Sequence, residues 1–295
     1  MRGARVAMGA GLGALILGCV ALVQAQDVKV TDRDRLWENF RRESAVVDAQ
    51  QFRLELQGIT LNADRNSPGE QVISRGTPAG MPDQPPVENI NTVAGGLVRL
   101  LATYGVFTNV ELGAQIEGVF QELRFNNTNT GQAAGGVFES ANTFGDMWLY
   151  GKYRYKVNDE VGVAGGIELR LPTGNRGKRT GTGEFGTNPF VSTRYARDRW
   201  SVGAHVGYQF NNGSLDDQFN WDVDGIIAAS SRWAIRAEFT GWNYNYAGQK
   251  IDDVYCSPGI EYSFSENITV RPTAQVGITK PALGWGLGVG VAYTF

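Results

Sequence analysis

From Gln51 to the end of the chain, apolar and polar residues alternate with a period of two. Successive side chains of a strand point to opposite faces, so this period predicts strands with one greasy side. The pattern resolves into twelve segments: 51–62, 93–105, 110–123, 146–157, 161–171, 189–196, 200–210, 218–230, 233–245, 253–264, 268–279 and 285–295. Each is close to the ~9–11 residues with which a tilted strand crosses a bilayer. In 200–210, Trp200, Val202, Val206, Tyr208 and Phe210 oppose Ser201, Gly203, His205 and Gln209. In the last segment Trp285, Leu287, Val289, Val291, Tyr293 and Phe295 oppose Gly286, Gly288, Gly290, Ala292 and Thr294. One face there is oily and the other nearly bare.

The connections alternate in length. Short turns rich in Asn, Asp, Ser and Arg separate the longer stretches 63–92, 124–145, 172–188, 211–217, 246–252 and 280–284. An even strand count with tight turns at one end and long loops at the other predicts an all-β, transmembrane, antiparallel up-and-down barrel of the bacterial outer membrane. A soluble sandwich would show the same alternation with its apolar face inward. Three features favour the barrel. The apolar faces carry almost no charge. They end beside short turns in aromatics (Tyr104, Tyr155, Tyr195, Trp200, Trp233, Tyr262 and Phe295), where an interfacial girdle would sit. The chain also ends on an aromatic with alternating apolar residues behind it, which resembles the assembly signal of outer-membrane proteins. Phe295 is therefore expected to engage the outer-membrane assembly machinery, and the oily face the membrane lipid.

Before Gln51 the pattern differs. Arg2 and Arg5 precede an uncharged run from Val6 to Val23, followed by Val23-Gln24-Ala25. This predicts a signal peptide over 1–25. Leu17-Gly18-Cys19 offers a second processing route, with Cys19 lipidated. Cleavage after Ala25 removes both arginines and takes the net charge from −3 to −5. That is too mild to suggest a nucleic-acid partner. Residues 26–50 place Leu36, Trp37 and Phe40 at helical spacing behind Thr31, a possible N-cap. A short helical segment that plugs the lumen or lies at the periplasmic face is expected there, with the barrel over 51–295.

Twelve strands fall between filled eight-stranded barrels and porins of sixteen or more, so a narrow passage is expected. The inward face receives the polar partners of the alternation. The candidate lumen-lining residues are Arg99, Glu117, Lys152, Arg154, Glu168, Arg170, His205, Asp222, Asp224, Arg236, Glu238, Glu261 and Arg271, with Arg53, Glu55, Glu111, Lys156 and Arg194 on the same face. Adjacent-strand pairs are expected between Glu117 and Lys152 or Arg154, between Asp222 or Asp224 and Arg236, and between Glu261 and Arg271. Such charges either brace the wall or stay wet and select permeants.

The remaining motifs exclude more than they suggest. "GTGEFG" (Gly181 to Gly186) fits a dinucleotide pattern but leads into a strand, so no helix could hold a pyrophosphate. "GNRGKRT" has Arg179 where a phosphate loop needs Ser or Thr. His205 is the only histidine, with no Ser two residues on, so a barrel lipase is disfavoured. No cluster suggests a metal, and no cofactor or catalytic residue is expected.

At "ELRLPTGNRGKRTGTGEFGTNPFVSTRY" (Glu168 to Tyr195) the chain resembles the outer-membrane family linked to the meta-cleavage pathway of phenol degradation. That family shows a strand ending in Leu-Pro-Thr-Gly, a Gly-rich loop and a second strand. "YGVFTNVELG" (Tyr104 to Gly113) and the terminal strand are similar too. The resemblance implies a barrel that lets small aromatic or hydrophobic compounds cross the outer membrane, with loops 63–92 and 172–188 at the external mouth. The rival readings are a closed structural or adhesive barrel whose loops contact a partner, and a lipid-modifying enzyme.

Overall fold

The structure is a computed structural model that describes residues 46–67, 90–125, 137–175, 180–213, 217–246, 249–279 and 284–295. The signal peptide, the Cys19 site and the N-terminal helical segment up to residue 45 lie outside the described residues, as does most of the first long loop.

Strands form where the alternation predicts them. They are β1 (Phe52–Ser67), β2 (Ile90–Phe107), β3 (Val110–Phe125), β4 (Val137–Phe144), β5 (Met147–Lys156), β6 (Val161–Leu171) and β7 (Gly186–Arg197). There follow β8 (Trp200–Asn211), β9 (Gln218–Ala228), β10 (Trp233–Tyr246), β11 (Gln249–Ser263), β12 (Ile268–Gly277) and β13 (Trp285–Thr294). Every neighbour pair is antiparallel, and β1 pairs with both β2 and β13, which closes the sheet. The closed wall has twelve strand positions, because β4 and β5 share one: β4 pairs with the distal half of β3 and β5 with the proximal half.

The stretch 124–145, expected as a single long loop, thus contains β4. Between Gln115↔Trp148 and Gly118↔Phe144 the β4–β5 side carries one residue more than β3, so Gly145 and Asp146 form a bulge. A one-residue insertion flips the face assignment, which hides the strand from a period-two reading.

The faces sort as an inside-out protein. Leu56, Leu112, Ile167, Val206, Phe239, Leu287 and Val289 are exposed, while Glu55, Glu111, Glu168, His205, Asp224 and Glu261 are buried. In water this arrangement would be unstable; in lipid it is the required one. At the short-turn end the outer aromatics pair off: Tyr195 with Trp200 (5.3 Å between centroids), Trp233 with Tyr262 (4.5 Å) and Phe52 with Phe295 (5.8 Å). The last strand is tied to the first by the Phe295 amide, which donates to the Phe52 carbonyl at 2.8 Å.

The short turns owe their legibility to side-chain oxygens that satisfy the turn amides. Asn158 Oδ1 accepts from the Glu160 and Val161 amides, Ser230 Oγ from Arg232 and Trp233, and Ser265 Oγ from Asn267 and Ile268. Three prolines, Pro189, Pro258 and Pro272, sit inside strands of a sheet that has no edge. The register runs unchanged past them, from Cys256↔Val276 through Gly259↔Thr273 to Tyr262↔Val270, with the ladder interrupted between those pairs.

Candidate functional site

The inner face is where chemistry can occur, and it is built by a repeated device. A long side chain on one strand passes over a glycine on the next and bonds to the strand beyond. Tyr150 on β5 lies over Gly113 on β3, where an added Cβ would sit 2.1 Å from its ring, and meets Thr103 Oγ1 on β2 at 2.8 Å. Arg170 on β6 crosses Gly186 on β7 and donates to Asn211 Oδ1 at 2.7 Å. Arg194 on β7 crosses Gly203 on β8 and reaches both oxygens of Asp224 at 3.0 and 3.1 Å. Arg271 on β12 crosses Gly290 on β13 and donates to Glu55 Oε1 on β1 at 2.9 Å. The bare face of the last strand is therefore the floor under a guanidinium.

These crossings correct the adjacent-strand pairing expected for several charges. Glu117 takes Arg99 of β2, at 2.9 Å, and Gln115, not Lys152 or Arg154. Lys152 lies opposite Glu111 in register and pairs with it at 3.2 Å. The expected Asp224–Arg236 pair forms at 3.9 Å, and Asp224 also holds Arg194 at 3.0 Å. Arg271 stands opposite Glu261 in the β11–β12 register yet sends its guanidinium the other way, to Glu55. Arg99–Glu117 and Lys152–Glu111 are direct cross-strand partners, whereas for Arg194 and Arg271 an intervening glycine removes the obstacle that would confine the side chain to its nearest neighbour.

A second network runs through amides. Glu168 Oε2 accepts from Asn188 Nδ2 at 2.6 Å, Asn188 Oδ1 from Asn220 Nδ2 at 3.1 Å, and Asn220 Oδ1 lies 3.1 Å from His205 Nε2. A carboxylate can only accept, so the direction of the whole chain is set and His205 carries its proton on Nε2. Ser192, His205 and Asp222 share one rung across β7, β8 and β9, a juxtaposition the sequence spacing concealed. It is the order of a hydrolytic triad without the bond from serine to histidine. Nε2 is occupied as a donor to Asn220, the ring packs on Phe190 at 5.2 Å, and among the described residues Ser192 Oγ has no hydrogen-bond partner.

The Leu-Pro-Thr-Gly loop folds inward rather than standing at the mouth. Asp146, at the bulge, accepts from the amide of Gly174 (3.0 Å) and from the amide and hydroxyl of Thr182 (2.8 and 2.7 Å). Thr180, Thr182 and Glu184 are buried as a result. Gly174 and Gly181 touch backbone to backbone, and a Cβ on either would fall within 2.6 Å of the other's Cα, which explains the glycines of both motifs. Residues 176–179 of the basic stretch lie outside the described residues. At the opposite end, the segment leading into β1 also turns in. The Val47 amide donates to Glu111 Oε2 at 2.7 Å, Val47 packs on Leu101 and Tyr150, and Gly105 admits the Val47 and Asp48 carbonyls.

The two inward segments and the crossings fill one side of the lumen. Lys152, Glu168, Arg170, Arg194, His205, Asp222 and Asp224, on β5 to β9, are all buried. On the other side, Gln57, Ile59, Arg99, Glu238, Ser257, Gly259, Arg271, Thr273, Gln275 and Gly288 keep partial exposure. Arg154 is partly exposed near the short-turn end, Arg236 is buried beside Asp224, and Glu261 is fully buried. Among the described residues no group of His, Cys, Asp or Glu could hold a metal ion. Gln57, Asn188, Asn220, Tyr150 and Asp146 escaped a reading that looked for charge on strands: four are uncharged, and the fifth lies on a bulge.

A sequence profile of the family described as "Putative MetA-pathway of phenol degradation" matches residues 91–295. No curated protein matches the chain. Among solved structures, the COG4313 outer membrane channel from Pseudomonas putida F1 superposes with a TM-score of 0.64 at 10% identity, covering 88% of this chain and 100% of that one. The NanC porin follows at a TM-score of 0.51 and 13% identity, over 81% and 98% of the two chains. The likeness is one of fold, and a closed barrel with an apolar exterior and a charged interior is the form in which strands span the bacterial outer membrane.

Proposed function

Because the chain belongs to the phenol-degradation MetA-pathway family, we propose that it is a passive channel through which small organic solutes, aromatic or hydrophobic, cross the outer membrane. The observation that carries this reading is the asymmetry of the lumen. A partly exposed strip along β10 to β12, β1 and β2 runs beside a packed wall, and on β13 it includes Gly288. A barrel that served only as a brace would have no reason to keep one wall bare. The solved COG4313 protein is named a channel, which agrees with this reading.

In this reading the wall residues act by charge and shape, and no group catalyses a reaction: Ser192 and His205 lack the bond that would make a nucleophile. Residues 26–50 act as a tethered plug at the periplasmic end, held by the Val47 amide on Glu111. Phe295 serves as the assembly signal. Liposomes carrying the purified full-length protein should swell in isosmotic sugars and phenolics. A barrel that passes none of them, and conducts no ions in planar bilayers, overturns the proposal in favour of a structural or adhesive barrel. Deleting residues 26–48 should raise single-channel conductance; unchanged conductance would remove the plug.

A further inference from the structure

The open wall has a chemistry of its own, carried by two adjacent rungs. The first reads Arg271, Gly290, Gln57, Arg99 across β12, β13, β1 and β2. The second, one step toward the long-loop end, reads Thr273, Gly288, Ile59, Leu97. Gly259 lies beside Thr273 on β11, and Thr273 and Ile59 lean over the flanking glycines, so the second rung presents a low, partly exposed surface of methyl groups.

The first rung is wired so that cations face the passage and carboxylates stay behind. The side chains of Arg99 and Arg271 are 13% and 12% exposed, whereas those of their partners Glu117 and Glu55 are 2% and 3% exposed. In Lys152–Glu111 (0% each) and Arg53–Glu55 (3% each) the paired groups are equally hidden. Gln57 links the two arginines: its oxygen accepts from Arg99 at 3.4 Å and its amide donates to Glu55, which Arg271 also holds. Arg53, Arg99 and Arg271 share the acids Glu55 and Glu117, both of which lie deeper in the wall than Arg99 and Arg271. Glu238 on β10 is the exposed acid of this wall, but it is shared with Arg236 at 3.5 Å and with the Thr240 hydroxyl at 2.7 Å.

We propose that these rungs form a binding site for small aromatic anions. A carboxylate, phenolate or sulfonate sits on the exposed edges of Arg99 and Arg271, and the ring lies over Gly288 against Ile59. Guanidinium forks match such oxyanions, and the methyl groups of Ile59 and Thr273 meet the apolar part. The site rests on the channel reading and gives it a preferred solute class.

The test uses permanently charged probes of one size, benzenesulfonate and phenyltrimethylammonium, with the full-length protein in planar bilayers under bi-ionic gradients. Benzenesulfonate should permeate better by about tenfold, the lower end of what a like-charged cleft achieves. The Arg99→Gln/Arg271→Gln double variant should bring the ratio near unity, and the Lys double variant should retain a preference. Ile59→Asn should weaken benzenesulfonate without changing chloride selectivity. Equal permeation of the two probes in the wild type, or an unchanged ratio in the Gln variant, overturns the site while leaving the channel standing. Absence of any current overturns both. Should the Gln variant fail to assemble, calorimetry on the wild-type barrel decides: binding of benzenesulfonate alone supports the site, and equal binding of both probes ends it.

Discussion

The two halves of the lumen wall start from the same sequence rule and end differently. From β5 to β9 the inward positions hold Tyr150, Lys152, Glu168, Arg170, Phe190, Arg194 and His205, each laid over a glycine or against a neighbour until little solvent remains. From β12 round to β2 the partly exposed inward positions are Thr273, Gln275, Gly288, Gln57, Ile59 and two arginines, Arg99 and Arg271, whose edges reach the surface. Both halves use glycines, but to opposite effect. In the packed half, as at Gly290, a glycine is crossed by a long side chain; at Gly288 the nearest side-chain atoms to an added Cβ belong to the short Thr273 and Ile59, at 3.0 and 3.3 Å. The lesson is that small residues inside a barrel do not by themselves mean an opening. What lies across them decides.

That contrast can be broken most sharply in the packed half. Gly113→Val places branched carbon where the Tyr150 ring lies, at 2.1 Å from the new Cβ, and frees Tyr150 from Thr103 and Glu111. Overpacking plus the broken network is expected to cost roughly 3–5 kcal/mol. The barrel should lose its heat-resistant band on unboiled gels. Next in size is Asp146→Ala, which removes the acceptor for three loop donors and roughly 3 kcal/mol of loop anchoring. The loop should leave the lumen, so conductance should rise while the barrel stays folded; unchanged conductance would mean that this loop does not narrow the passage.

Gly288→Ala tests the other half. The neighbours must give by a few tenths of an ångström, so stability should fall by no more than about 1 kcal/mol while conductance drops. His205→Ala should cost about 1–2 kcal/mol by leaving Asn220 without its donor, and a phospholipase assay should read the same before and after. Smallest of all is Gly58→Ala on the lipid side, where nothing lies within 4 Å of the new Cβ. Its thermal midpoint should not move.

Much of this was legible in the sequence, because a bilayer enforces a strict rule on one face. Wherever a strand passes through lipid, every second residue is apolar, so eleven strands and the β5 position could be read from alternation alone. β4 could not: Asn142 is exposed on it and a bulge follows, so neither composition nor period marks it. Inside the barrel no such rule operates. Charge marked the inner face, but which acid meets which base depends on register and on glycine gaps several strands away. Arg271 and Glu55 are 216 residues apart in the chain, and only closure of the barrel brings them together. The amide chain from Glu168 to His205 was invisible for the same reason, since asparagines carry no charge to draw the eye.

The crossing of Arg271 over Gly290 also bears on how such a pore could diversify. A guanidinium that reaches its acid by stepping over a middle strand ties three positions into one unit: donor, gap and acceptor. Changing any member alone leaves a stranded charge or a collision, so the inner surface should drift in triplets while the lipid-facing surface drifts residue by residue. Anyone wishing to recharge this pore would do best to exchange whole triplets between barrels.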